Sequence, residues 1–398
     1  MERVQIERLV AGGDALARMG DGRVAFVEGA LPGETVDIDV VQEKKDFVKA
    51  RLIDVVEASI DRVVPPCAHV ADGCGGCSWQ HLNPIKHLSV KSEIVRESLR
   101  RAAKLGDIDV REGGAVPTNH ARTTLRMAVM PSGRLGFRRA QSKDVIGIES
   151  CLVAHPLLQE LIVESRVSGA AEATLRCGAD SGDRGVWLHD ERGGNEKKAI
   201  IDGIPDDVQV GRRAIIRETI HGVTLEVSMS SFFQSSPQAA ELIVSAVNDA
   251  AGDAALSGED GPIIDAYGGC GLFAATLVDL DVPVTLVESN KSACADARRN
   301  LNDHRARIEE IAFEQWQVTR AGLVIADPAR SGLGKAGVST IVETRAKTVV
   351  LVSCDAVAGA RDIGLLVEAG YECDGVTVLD VFPYTHHVEV VSRFTLKS

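Results

Sequence analysis

The chain has 398 residues, room for about two or three domains at roughly 100–200 residues each, which excludes a single small module. Hydrophobic residues make up 45%, charged residues 25%, and mean hydropathy is +0.03, so sizeable cores are available and general disorder is excluded. A formal net charge of −13 and a pI near 5.3 exclude a surface built all over for nucleic acid. No run of about 18 apolar residues occurs. The start, MERVQIERLVAGGDALARMG, has no basic segment followed by an apolar one, so the expectation is a cytoplasmic monomer without membrane contact.

In chain order, the runs VQIERLV, RVAFVEGAL, TVDIDVV and FVKARLIDVVE alternate apolar and polar residues between glycine-containing turns. They predict a small β-barrel over residues 1–60, closed by Pro65-Pro66. A cysteine cluster follows, then a helical pattern from about Pro84 to Lys104 and strand-like stretches on to Val227. Together these define a central α+β region over 61–235. From Pro237 strands and helices alternate, predicting a doubly wound parallel sheet over 236–398. Between Lys86 and Lys143 thirteen basic residues face five acidic ones, a local excess of +8 against −21 elsewhere. Such a block can steer a polyanion to one face, or it is a solvated helix and hairpin.

Cys67, Cys74 and Cys77 are spaced C-x6-C-G-G-C. Short spacing around Gly75-Gly76 lets backbone wrap one metal centre and aim amides at sulfur. Three thiolates complete neither a zinc site nor a four-cysteine cluster, so a fourth ligand comes from elsewhere. His81 would give a Cys3His zinc site. Cys151 would give four thiolates for a [4Fe–4S] cluster. The C-x3-C-x2-C pattern of radical enzymes is absent.

Ile263-Ile264-Asp265 followed by Ala-Tyr-Gly-Gly-Cys-Gly-Leu-Phe reads as strand, tight turn and helix start. Glu288 at the next strand end stands about 20 residues on, where a ribose-binding carboxylate belongs. The loop is neither G-x-G-x-x-G nor a lysine-bearing phosphate cradle, so S-adenosylmethionine fits better than NAD or ATP. At later strand ends stand Asp327, Cys354 and Glu389, a thiol for covalent attack and carboxylates for proton transfer. A zinc dehydrogenase finds no support in this spacing.

With these motifs in order, the whole chain resembles the RNA uracil-C5 methyltransferases, in the branch with a TRAM barrel and an iron–sulfur cluster. LPGETVDIDV resembles the barrel and PPCAHVADGCGGCSWQH the cluster motif. SFFQSSPQ, DAYGGCGLF, VESN, DPARSGL, SCDAVAGARD and FPYTHHVEVV match cofactor, nucleophile and base motifs. The resemblance implies a class I S-adenosylmethionine methyltransferase fold. It implies Cys67, Cys74, Cys77 and Cys151 as [4Fe–4S] ligands. Gln234, Tyr267, Leu272, Glu288, Gln315 and Asp327 would lie around S-adenosylmethionine, with Cys354 as nucleophile and Glu389 as base. It further implies RNA as partner: 23S rRNA, with the TΨC loop of tRNA as the alternative. A catalytically inactive RNA-binding relative would lack the thiol or the carboxylate, and both are present. Gly268, Ala329, Ala356 and Gly359 depart from the family pattern.

Overall fold

The computed structural model describes residues 2–106, 108–194 and 198–397; Asp107, counted in the basic stretch, lies outside them. The N-terminal alternation folds as β1 (Glu2–Leu9), β2 (Ala15–Arg18), β3 (Val24–Glu28), β4 (Thr35–Glu43) and β5 (Phe47–Glu57), which close in the order β1-β2-β3-β5-β4. Val4, Ile6, Val36, Ile38 and Val48 point inward, as a two-residue period requires. Buried Glu34 ties the barrel to the chain beyond it, accepting from Leu31 N at 2.7 Å and pairing with Arg62 at 2.5 Å.

The next helix is α1 (His87–Ser98), extended by a π turn over Leu99–Ala103, and then comes β6 (Val110–Ala115). A six-stranded sheet follows, built from β7 (Thr124–Val129), β8 (Leu135–Arg138), β9 (Val145–Gly147), and, after α2 (Pro156–Glu164) and β10 (Arg166–Ser168), β11 (Glu172–Cys177) and β12 (Arg184–His189). After β13 (Ile200–Asp202), which pairs with β10, β14 (Val208–Val210) completes it in the order β14-β12-β11-β7-β8-β9. Leu158 and Leu161 of α2 share a core with Leu125, Met127 and Leu175 of the sheet. The hairpin β15 (Ile215–Ile220) and β16 (Val223–Ser228) leads out of this region.

The C-terminal part begins with α3 (Pro237–Ala251) and α4 (Asp253–Leu256). It continues through β17 (Ile263–Ala266), α5 (Leu272–Leu277), β18 (Val284–Glu288), α6 (Lys291–Asn300), β19 (Ala306–Glu310), β20 (Leu323–Ala326), α7 (Gly334–Thr344), β21 (Thr348–Ser353), α8 (Ala356–Glu368), β22 (Tyr371–Asp380) and β23 (Glu389–Leu396). The sheet order is β19-β18-β17-β20-β21-β23-β22-β6. β17, β18, β20 and β21 are apolar runs because helices cover both faces.

Two features differ from the sequence expectation. The sheet is not wholly parallel: β23 runs antiparallel to β21 and β22, because the segment between Asp380 and Glu389 is too short for the dozen or more residues of a parallel crossover. In addition, β6, from the expected central region, pairs with β22 at the edge of the C-terminal sheet. Among the described residues no helix is long and apolar enough to cross a membrane.

Candidate active site

The strand order reverses at β17, which lies between β18 and β20, and ligands of such sheets bind beyond the strand ends at that point. A cavity of about 520 Å³ opens there. Gln234, Tyr267, Leu272, Glu288, Asp327, Cys354 and Glu389 all line it. Gln315 does not. It lines a separate cavity beside β19, while its neighbour Glu314 accepts a 2.6 Å hydrogen bond from the Tyr267 hydroxyl.

The turn after β17 is shaped by close packing. A Cβ at Gly268 would stand 2.6 Å from Leu286 Cγ and 2.9 Å from Asp265 Cγ, so this turn has no room for a side chain there. Glu288 bridges the turn and the next helix: its carboxylate accepts from Gly269 N at 3.1 Å and Asn290 N at 2.6 Å. The segment that carries Gln234 is held from two sides. Thr123 N donates to Ser235 O at 2.9 Å, and buried Arg176 donates to Ser228 O and Ser231 O at 3.0 and 2.9 Å.

Cys354 sits between β21 and α8. Asp355 caps the helix by accepting from Val357 N at 3.0 Å and Ala358 N at 2.8 Å, which fixes the thiol at a helix N-terminus. The loop from Asp327 to Leu333 is pinned against α8 by Asp362, which accepts from Leu333 N at 2.6 Å. Burial, and then the charges of Glu389 and Asp327, push the Cys354 thiol up to about 12, with Arg330 opposing. Burial pushes Asp327 up to about 7. Glu389 is raised well above the carboxylate range by burial and by Asp327, and its Oε1 has no hydrogen-bond partner among the described residues. Burial thus favours the protonated form of all three groups. Arg330, Phe232 and Phe382 also line the cavity. They fall inside DPARSGL, SFFQSSPQ and FPYTHHVEVV, yet side-chain direction there is invisible in sequence. Asp265, another buried carboxylate raised to about 7 by burial, lies just beneath the turn.

Cys67, Cys74, Cys77 and Cys151 line a second, mostly apolar cavity of about 40 Å³ with Leu125, Phe137 and Ile148. Gly75 permits it: its N–H donates to Arg138 O at 3.0 Å, and a Cβ would meet Arg138 O and Ala140 N at 2.9 Å. His81 is not among the lining residues. Among the described residues no three His, Cys, Asp or Glu lie together closely enough to share one metal ion. Burial raises Cys77 to about 11 and also raises Cys74 and Cys151, which disfavours their thiolate forms.

The basic stretch is not one free face. Lys91 is fully buried against Asp380, and Arg122 lines the cysteine cavity. Arg126 and Arg138 pair with Glu172, and Arg100 and Arg101 with Glu97. Charge counted along the chain misses this pairing.

The TRAM domain family matches residues 1–53, the barrel. An RNA methyltransferase of Streptomyces avermitilis is 35% identical over 98% of this chain and 96% of its own length. One from Corynebacterium efficiens is 31% identical over 99% and 94%. The chain therefore belongs to the RNA methyltransferases. Its fold matches the Pyrococcus abyssi tRNA (uracil-54, C5)-methyltransferase, solved with S-adenosyl-L-homocysteine, with a TM-score of 0.73 at 23% identity over 98% of this chain and 100% of that one.

Proposed function

We propose that this enzyme methylates C5 of a uridine in structured RNA, using S-adenosylmethionine, with Cys354 as nucleophile and Glu389 as base. The observation that carries the reading is the convergence on one cavity, at the switch point of the sheet, of a thiol and a buried carboxylate with one oxygen unpartnered among the described residues. S-adenosylmethionine, when bound, supplies a methyl group on a cationic sulfur. Gln234, Tyr267, Leu272, Glu288 and Asp327, which line the cavity, would hold it.

Uracil C5 is a poor nucleophile. The Cys354 thiolate forms a bond to C6, and the C5=C6 pair shifts to make C5 an enolate carbon able to take a methyl group. Glu389 then accepts the C5 proton. The pair of the C5–H bond restores C5=C6, and the C6–S pair leaves with Cys354 as thiolate. Burial first, and then the charges of Glu389 and Asp327, hold Cys354 protonated; a bound cationic cofactor would oppose the carboxylates' share of that effect. A uridine in folded RNA must be flipped out, at a cost of about a few kcal/mol. Phe232, 74% exposed at the cavity mouth, offers an aromatic face for stacking.

Large-subunit rRNA is our first substrate reading. Modification of tRNA is the second, favoured by the whole-chain fold likeness to a tRNA enzyme. We also infer a [4Fe–4S] cluster on Cys67, Cys74, Cys77 and Cys151. Its support is that the four thiols line one mostly apolar cavity. The test maps 5-methyluridine at nucleotide resolution in rRNA and tRNA from cells with and without the gene, and traps RNA containing 5-fluorouridine on the purified enzyme. Loss of one mapped position and a denaturation-resistant adduct through Cys354 are expected. Unchanged maps and no adduct would overturn the reading.

A further inference from the structure

Lys91 is a lysine with no solvent exposure. Its ammonium donates to Asp380 Oδ1 at 2.5 Å and to the Phe382 carbonyl at 3.1 Å. His87, one turn earlier on α1, brings Nδ1 within 3.7 Å of the other Asp380 oxygen. Burying such a pair is expensive, and two apolar side chains of similar volume would commonly hold a fold as well or better. Stability alone is a weak reason for it.

Its position supplies another. Asp380 ends β22 and Glu389 begins β23, and Leu379 is the register partner of Glu389. The intervening segment carries Phe382, which lines the catalytic cavity and packs edge-on against His387 at 5.9 Å. The Glu389 carboxylate has an oxygen without any hydrogen-bond partner among the described residues. No hydrogen bond among the described residues therefore steers that oxygen, which leaves the backbone at the start of β23 to set where the side chain begins. Lys91 grips the two residues flanking Val381, on the opposite limb of the same turn.

We propose that Lys91, through Asp380 and the Phe382 carbonyl, is a positioning residue for the proton-abstraction step at Glu389. The inference rests on the reading given under Proposed function. Lys91 touches no reacting atom. Its role is to fix the turn so that the carboxylate meets the C5 proton after methyl transfer. In that step the C5–H pair re-forms C5=C6, Glu389 keeps the proton, and the C6–S pair returns to Cys354. Nucleophilic addition and methyl transfer draw on Cys354, which is fixed by the end of β21 and the Asp355 cap of α8 rather than by Lys91, so the proposal expects them to be spared.

The experiment uses the full-length enzyme, the single variant Lys91→Met and the double variant Lys91→Met/Asp380→Leu. The single variant leaves a buried carboxylate uncompensated and can fail to fold. The double variant removes both charges. We expect it to melt near the wild-type temperature and to trap 5-fluorouridine RNA at the wild-type rate. With ordinary uridine RNA it should turn over at least tenfold more slowly, while methylated RNA accumulates covalently on Cys354. Wild-type turnover in a stable double variant overturns the proposal. So does a loss of 5-fluorouridine trapping that parallels the loss of turnover, because the pair would then support the whole site. Absence of trapping by the wild-type enzyme overturns the underlying functional reading, and it is seen before any variant is made.

Discussion

Asp265 Oδ2 accepts the Ala274 N–H at 3.2 Å, while Asp265 Oδ1 is enclosed with no partner among the described residues. Its folded pKa, raised to about 7 by burial, lies above that of the unfolded chain. The native state therefore binds the proton more tightly, and the stability this provides at low pH is lost as pH rises from the ordinary carboxylate range through about 7. Asp265→Asn should raise the melting temperature of the ligand-free protein at pH 8, by the equivalent of at most about 4 kcal/mol, with a smaller gain at pH 5. Scanning calorimetry of both proteins at both pH values checks this. An equal gain at the two pH values would contradict it.

Cys354 should be sluggish toward alkylating agents at neutral pH. Burial first, then Glu389 and Asp327, hold its thiol near 12, so its thiolate fraction should still be rising above pH 9. Iodoacetamide labelling, read peptide by peptide with mass spectrometry, gives the profile. A plateau below pH 8 would show that the helix N-terminus outweighs burial.

Losing each reacting group should stop the reaction at a different point. Cys354→Ala should bind RNA without forming any adduct. Glu389→Gln should add, methylate and stall, with turnover down at least a hundredfold, within the range of a lost general base. Denaturing gels with methyl-labelled cofactor distinguish the two.

Within the basic stretch, side chains without ion pairs should carry RNA binding. Arg134 and Lys143 have no ion-pair partner among the described residues, whereas Arg126 shares buried Glu172 with Arg138. Replacing Arg134 and Lys143 with Ala should flatten the logarithmic salt dependence of RNA affinity by about one to two. Arg126→Ala should act mainly on melting temperature. Filter binding across a salt series and thermal melts separate the effects.

Gly13→Ala should destabilise the protein by about 1–3 kcal/mol. The residue has φ +94°, and a Cβ there would stand 2.8 Å from His386 Nδ1. Chemical denaturation measures the loss. A neutral outcome would mean that the barrel can draw back from His386 without cost.

The parts of the fold that were legible are those in which local pattern and tertiary placement agree. The apolar runs before Asp265, Glu288 and Asp327 announce buried parallel strands, and their polar ends announce the cavity. β2 escaped because Ala15–Arg18 is four residues, two of them alanine, between glycine turns. β6 escaped because its partner, β22, lies far along the chain, and nothing in VREGGA names it. Gln315 shows the limit at single-residue scale: a 3-10 turn over Phe313–Gln315 brings Glu314 to Tyr267 and turns Gln315 away. Lys91 and Arg122 show it for charge, since position in a basic run does not say whether a side chain faces water or the interior.

The contacts at Trp79 join the barrel to the catalytic part of the chain. Trp79 Nε1 donates to Gly13 O of the barrel at 3.2 Å, and Trp79 N donates at 2.8 Å to the carbonyl of Tyr384, in the segment that leads to Glu389. One buried tryptophan, through its indole and its main chain, thus belongs to two walls at once. The distance between the Gly13 turn of the barrel and the segment before Glu389 is therefore set when the chain folds. Under the RNA methylation proposed above, an RNA held by the barrel would have to present its flipped uridine across that fixed gap, so the fold itself would act as a calliper.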